Sequence, residues 1–212
     1  GNNISIGQIL IHPTLSDSTL ELNKQYLFNK DTISFKSLKF YISKICFYNN
    51  SKQLSCLKEK HHLLNWDNPS TFLIPYNSIN NSKANRIEFY VGVDSTTNVS
   101  GAIEGGLDPT NGMYWTWQSG YINFKLEGTH SRSKGRNKTF QYHLGGYQHP
   151  YNSIQKITLQ TYHDSSIVIE LELDRLISSI NPTTHHTVMS PSKKSVEIST
   201  MLTNLFSISA KK

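Results

Sequence analysis

Ile122-Asn-Phe-Lys-Leu126 and Phe140-Gln-Tyr-His-Leu144 decide the fold, because each alternates apolar and polar side chains with a period of two. That period belongs to a half-buried strand, in which successive side chains leave opposite faces. The same pattern continues outward in Leu38-x-Phe40-x-Ile42, Ile87-x-Phe89-x-Val91-x-Val93 and Ile4/Ile6 followed by Ile9/Ile11. Ile157-x-Leu159-x-Thr161 and Ile167-x-Ile169-x-Leu171-x-Leu173 flank the polar run Tyr162–Ser166, which predicts a hairpin. Strands at this spacing predict an all-β, antiparallel β-sandwich, immunoglobulin-like or related.

Two segments break the alternation. Asp174–Ile180 reads as one or two helical turns capped by Asp174. Ser190 as N-cap and Pro191 at the first helical position open a C-terminal helix over about residues 191–206, with Ile198, Met201, Leu202 and Leu205 on one stripe. No internal repeat and no proline-rich linker divides the chain, so one domain is expected over residues 1–212.

The 212 residues include only three alanines, which argues against a helical bundle. A hydrophobic content of 36% with 23 aromatics is too high for a disordered chain. No window approaches the ~18 apolar residues of a membrane span. The formal charge is +6, but Arg132–Lys138 alone carries four positive charges in a Gly/Ser/Asn setting. A solvated hairpin loop or a polyanion contact would both explain that stretch; no nucleic-acid partner is expected, because the basics are not interleaved with aromatics. The chain opens Gly-Asn-Asn without a methionine, which reads as a mature form from which a targeting segment, with room for a lipid anchor, has been removed. Cys46 and Cys56 flank the turn Asn49–Gln53 and would face one another across a hairpin. Either a disulfide, suited to an oxidising compartment, or two reduced thiols would fit.

Nucleophile-elbow, phosphate-loop and His-Glu-x-x-His motifs do not occur, and no nucleophile–base pair is recognisable, so no enzyme is expected. Glu104, Asp108 and Glu127 are the carboxylates near the aromatic-rich centre, and their spacing gives little support to a glycosidase. Histidine carries more information, with nine in the chain. A lone strand histidine is usually a satisfied polar residue, but His143 sits opposite Phe140, Tyr142 and Leu144 and precedes Gly145-Gly146. A neutral imidazole there suits copper or zinc. The densest unusual stretch is Gly106–Gly128, in which Met113, Trp115 and Trp117 alternate and would share a face. They read as a core stripe or as soft groups beside a copper site; alternatively Tyr114, Trp115, Trp117 and Tyr121 form an exposed stacking platform of a carbohydrate- or surface-binding module.

The motifs Gly92-Val-Asp94, Gly106-Leu-Asp-Pro109, Asn111-Gly-Met-Tyr-Trp-Thr-Trp-Gln-Ser-Gly-Tyr121, Lys125-Leu-Glu-Gly128 and Phe140-x-Tyr-His-Leu-Gly145 follow in that order. Together with Leu38–Ile45, His62-Leu-Leu64 and Ile198–Phe206 they resemble the copper-binding MbnP family of methanobactin gene cassettes and surface copper proteins. The resemblance implies a periplasmic or envelope-anchored sandwich that binds copper for storage, scavenging or delivery. In some members a tryptophan oxidised to kynurenine by a dihaem peroxidase-like partner joins the histidine ligands. Carried onto this chain, it implies His143, His62, His12 and His186 (or its neighbour His185) as metal ligands, and Trp115 or Trp117 as the oxidisable residue. Asn65 departs from the family pattern, standing where that segment often carries Asp.

Overall fold

The computed structural model describes residues 6–77, 83–101, 104–162 and 165–210. The expected residues Ile4, His163 and Asp164 lie outside the described residues. Strands are numbered in chain order. A smaller sheet contains β1 (Ile6–Leu15), β2 (Ser18–Thr19), β7 (Leu73–Asn77), β13 (Ser166–Glu172) and β15 (Phe206–Ile208). A larger one is built on β4 (Asp31–Asn49), flanked by β8 (Arg86–Val91) and β10 (Gly120–His130), and continues through β12 (Gln155–Gln160), β11 (Thr139–Gly145) and β14 (Thr187–Val188). The short strands β3 (Tyr26–Phe28), β5 (Lys52–Cys56) and β6 (His61–Asn65) pair with β4, and β9 (Tyr114–Thr116) pairs with β10.

The alternation found in the sequence sets the two inner faces. Phe40 and Ile42 of β4, Phe124 and Leu126 of β10, and Phe140, Tyr142 and Leu144 of β11 share one core with Ile9 and Ile11 of β1 and Ile169 and Leu171 of β13. Phe40 is a hub of that core, with ring centroids 5.3 Å from Phe124, 5.5 Å from Phe72 and 6.4 Å from Phe206. Aromatic pairs at these separations add about 0.5–1.5 kcal/mol each beyond their burial. Within β4 the register against β8 shifts between Ser43 and Cys46, where Lys44 stands at φ 51°. Cys46 and Cys56 face each other across β4 and β5 and are joined in a disulfide.

Three expectations require correction. Each sheet contains a parallel pairing, β1 with β13 and β11 with β14, so the sandwich is mixed rather than wholly antiparallel. The strands around Tyr162–Ser166 form no hairpin: β12 pairs with β8 in the larger sheet, and β13 pairs with β1 in the smaller. Their alternation identifies an inner face in each case, but not the same sheet. The C-terminal helix α3 spans Lys193–Met201 and is capped by Ser192, whose side chain accepts from the Ser195 N–H. It ends in a 3-10 turn, and Phe206 has already entered β15. Two shorter helices, α1 (Ser95–Ser100) and α2 (Asp174–Ser179), lie in the connections. Arg132–Lys138 forms the largely exposed loop of the β10–β11 hairpin. Among the described residues no helix is long and apolar enough to cross a membrane.

Candidate metal centre

The outward face of the larger sheet is not left to solvent. Residues 94–101 and 104–121 fold back over it and build a second apolar cluster from Tyr41, Val93, Leu107, Met113, Tyr121 and Ile122, with Leu63, Tyr114 and Trp115 packed alongside. Polar pins hold this cover in place. Asp94 caps α1 by accepting from the Thr97 N–H at 2.7 Å, and it also receives Lys44 and Lys60 at 3.1 and 3.0 Å. These partners hold its carboxyl far below the usual range despite the opposing cost of burial, which is the largest single influence on it. Asn98 accepts from the Tyr121 N–H at 2.8 Å, and Asn123 accepts from the Val93 N–H at 3.0 Å. Tyr41 and Tyr121 donate their hydroxyls to the carbonyls of Gly106 and Leu107 at 2.6 and 2.5 Å. Lys39 and Lys125 donate to the carbonyls of Asn111 and Gly112. The residues that punctuate Gly92–Tyr121 in the sequence therefore serve largely to fasten the cover to the sheet.

His143 lies on this face of the sheet. Its strand register places it opposite Lys125, which is itself opposite Lys39. The residue is 7% exposed. Its Nε2–H donates to Glu127 at 3.3 Å, which leaves the ring's lone pair on Nδ1. Burial first, then the Lys125 ammonium, pushes its pKa below the ordinary histidine value, with Glu127 opposing. The result is a neutral imidazole, the form in which histidine binds a metal. Two residues along the same face is Gly145, on whose backbone the Trp115 ring rests: a Cβ there would fall 2.8 Å from Trp115 Cζ3. Trp115 Nε1 is buried without a hydrogen-bond partner, whereas the Trp66 indole donates to the Leu20 carbonyl at 2.8 Å. A buried indole N–H normally finds an acceptor. The one on Trp115 is an unsatisfied group on the face that carries His143.

The other implied ligands lie elsewhere. His62 pairs with Ile42, a core residue, so its side chain leaves the opposite face of the larger sheet from His143. It lines a cleft of about 330 Å³ with Cys56, Glu59, Pro75 and Tyr76, and its Nε2 is buried without a partner. Burial holds its pKa down, with Glu59 opposing. His12 alternates with the core residues Ile9 and Ile11 and faces outward from the smaller sheet, beside Glu170. His186 stands at the β14 edge with Nδ1 2.9 Å from the Thr187 hydroxyl; His185 offers its backbone carbonyl to the Tyr142 hydroxyl. The expected quartet His143, His62, His12 and His186 thus does not form one centre. Strand parity assigns its members to separate layers and an edge. Among the described residues no three His, Cys, Asp or Glu side chains gather closely enough to hold a metal ion.

The expected Met113–Trp115–Trp117 stripe also breaks up. Met113 is fully buried, Trp115 half-buried and Trp117 73% exposed, because β9 ends at Thr116 and Trp117 sits in the following turn. With Tyr121 buried as well, the four rings make no exposed stacking row. Glu127 is the site neighbour that periodicity could have identified, since it shares a face with Lys125 in Lys125-Leu-Glu127.

Residues 5–191 match the protein family described as MbnP. The structure is similar to that of MbnP from Methylosinus trichosporium, with a TM-score of 0.68 and 12% sequence identity over 90% of this chain and 86% of that one. At that identity the likeness concerns the fold alone. No curated protein matches the chain.

Proposed function

Because the chain belongs to the MbnP family, we propose that it is an exported copper-binding protein of the periplasm or cell envelope, with its metal site on the covered face of the larger sheet. The observation that supports this most is the pairing of a buried, neutral His143 with the buried, unpartnered indole nitrogen of Trp115 on one sheet face. The side chains present supply His143 Nδ1, with Glu127 orienting the ring from Nε2, which is fewer than the donors of a closed site. Oxidation of Trp115 to kynurenine would add a further donor. The five-membered ring opens with loss of one carbon and gain of one oxygen, and the buried N–H becomes a free aryl amine. A dihaem peroxidase-like partner is the proposed oxidant's source. Trp115 is favoured over Trp117 because its nitrogen already lies within the cover, while Trp117 is exposed. The Cys46–Cys56 disulfide suits the oxidising compartment this reading requires.

Copper titration against a competing chelator, on protein produced with and without such a peroxidase, tests the proposal. Binding tighter than micromolar, weakened in H143A and strengthened by tryptophan oxidation, is the expected result. Binding no better than micromolar and indifferent to H143A in both preparations would reject it.

A further inference from the structure

On the outer face of the smaller sheet, well away from the covered face, three side chains far apart in the sequence meet in a defined order. His12 Nδ1 lies 2.7 Å from Glu170 Oε2, and His12 Nε2 lies 2.7 Å from Thr19 Oγ1. A carboxylate only accepts, so Nδ1 carries the ring proton and Nε2 presents its lone pair to the threonine hydroxyl. That is the arrangement of a hydroxyl nucleophile, its general base and the acid that orients the base. We propose that Thr19, His12 and Glu170 form a nucleophilic centre that takes acyl groups from small activated esters.

Each member is set by backbone structure rather than by a loose loop. His12 and Glu170 are directly opposed in the parallel β1–β13 register, so the carboxylate reaches the imidazole from the neighbouring strand. Thr19 is opposite Thr14, two residues further along β1, and a diagonal cross-strand neighbour lies within reach of a histidine. The hairpin that delivers it turns on Ser16 and Asp17, both at positive φ, in a two-residue connection. That turn is tied down by the Ser16 N–H, which donates to the Asp174 carboxylate at 3.0 and 3.2 Å. Leu15 and Leu20, on either side, are buried in the main core. Thr19 itself is exposed and the His12 side chain is 31% accessible, so an incoming carbonyl has access to the hydroxyl. An exposed hydroxyl has little around it to activate a poor leaving group. The matching substrates are therefore aryl esters or thioesters, whose leaving group needs little help.

In the first step Thr19 Oγ bonds to the acyl carbon while its proton passes to His12 Nε2. The ester C–O (or C–S) bond breaks, and the leaving group departs with that proton. Water then attacks the acyl-threonine, giving its proton to Nε2, and Thr19 Oγ recovers a proton from the imidazolium as the carboxylic acid leaves. No oxidant or metal is consumed. Because the centre uses none of the side chains on which the copper proposal stands (His143, Glu127 and Trp115), each proposal can fail without the other.

The test uses p-nitrophenyl acetate as acyl donor, following nitrophenol release and mapping acetylated peptides by mass spectrometry. The expected result is acetyl on Thr19 and a release rate reduced about 10²-fold or more in T19A and H12A, the usual worth of a positioned base. T19S should restore the rate, and E170Q should lower it without altering the melting temperature. Acetyl found only on lysines, or nitrophenol release unchanged in T19A, would overturn the proposal.

Discussion

Replacing Gly145 by alanine examines the contact on which the covered face depends. A Cβ at Gly145 would lie 2.7 Å from the Tyr121 carbonyl oxygen, 2.8 Å from Trp115 Cζ3 and 3.0 Å from Trp115 Cη2. Ordinary carbon contacts begin near 3.5 Å, so both contacts must be relieved. The Tyr121 oxygen belongs to the backbone of β10 and cannot swing aside; the Trp115 ring must lift from the strand. Overpacking of this kind costs about 1–3 kcal/mol. Against it stands the roughly 0.5–1 kcal/mol that alanine gains over glycine within a strand. The net expectation is a loss of about 1–2 kcal/mol. At a urea m-value of about 2–3 kcal/mol/M, the midpoint should fall by about 0.3–1 M with m unchanged. Urea titration followed by tryptophan fluorescence measures it, with G106A as control. The alanine Cβ in G106A would meet Leu63 Cβ at an ordinary 3.6 Å, so that variant should match or slightly exceed the wild type. A G145A midpoint equal to or above the wild-type value would refute the placement of Trp115 on β11. If the copper proposal holds, G145A should also weaken copper binding by displacing the proposed amine donor.

Acid should destabilise the fold in a window set by its histidines. Burial, the leading influence in each case, lowers the pKa of His61, His62, His130 and His143 below the ordinary 6.5. The unfolded chain then binds more protons than the folded one below pH 6.5, so stability is full above that value and is lost as the pH falls through it toward the folded-state values. Urea midpoints should decline between pH 8 and pH 5, and a flat or rising profile would contradict the burial of these rings. Removing the Cys46–Cys56 bridge by C46S/C56S should cost about 3 kcal/mol, from the loop entropy of a cross-link between residues ten apart. Equal melting temperatures for oxidised and reduced wild-type protein would count against the bridge.

The strands were legible because alternation is local. Phe40, Phe124, Tyr142 and Ile169 declare an inner face without reference to anything distant in the chain. Pairing is not local. Ile157–Leu159 and Ile167–Leu171 show the same pattern, yet one joins β8 and the other joins β1 in parallel. A short polar connection looks like a hairpin whether it turns within one sheet or crosses between two. The helix start was displaced for a related reason: Ser190 and Ser192 are both competent caps, and the choice falls on the serine whose hydroxyl meets the Ser195 N–H.

The sequence by itself determined the sandwich class, the family, the opposed cysteines and the fact that His143 points away from Phe140, Tyr142 and Leu144. Tertiary structure alone decided that the face His143 occupies is covered, since residues 94–101 and 104–121 must fold back over β4 and β10 to bury Met113 and Tyr121. It also decided that the four implied histidine ligands belong to different layers, and that His12 meets Thr19 and Glu170. The physical reason is common to all three. A period of two tells which side of its own strand a residue takes, while the side chains it meets there are chosen by hydrogen-bonded register and by what the rest of the chain must bury.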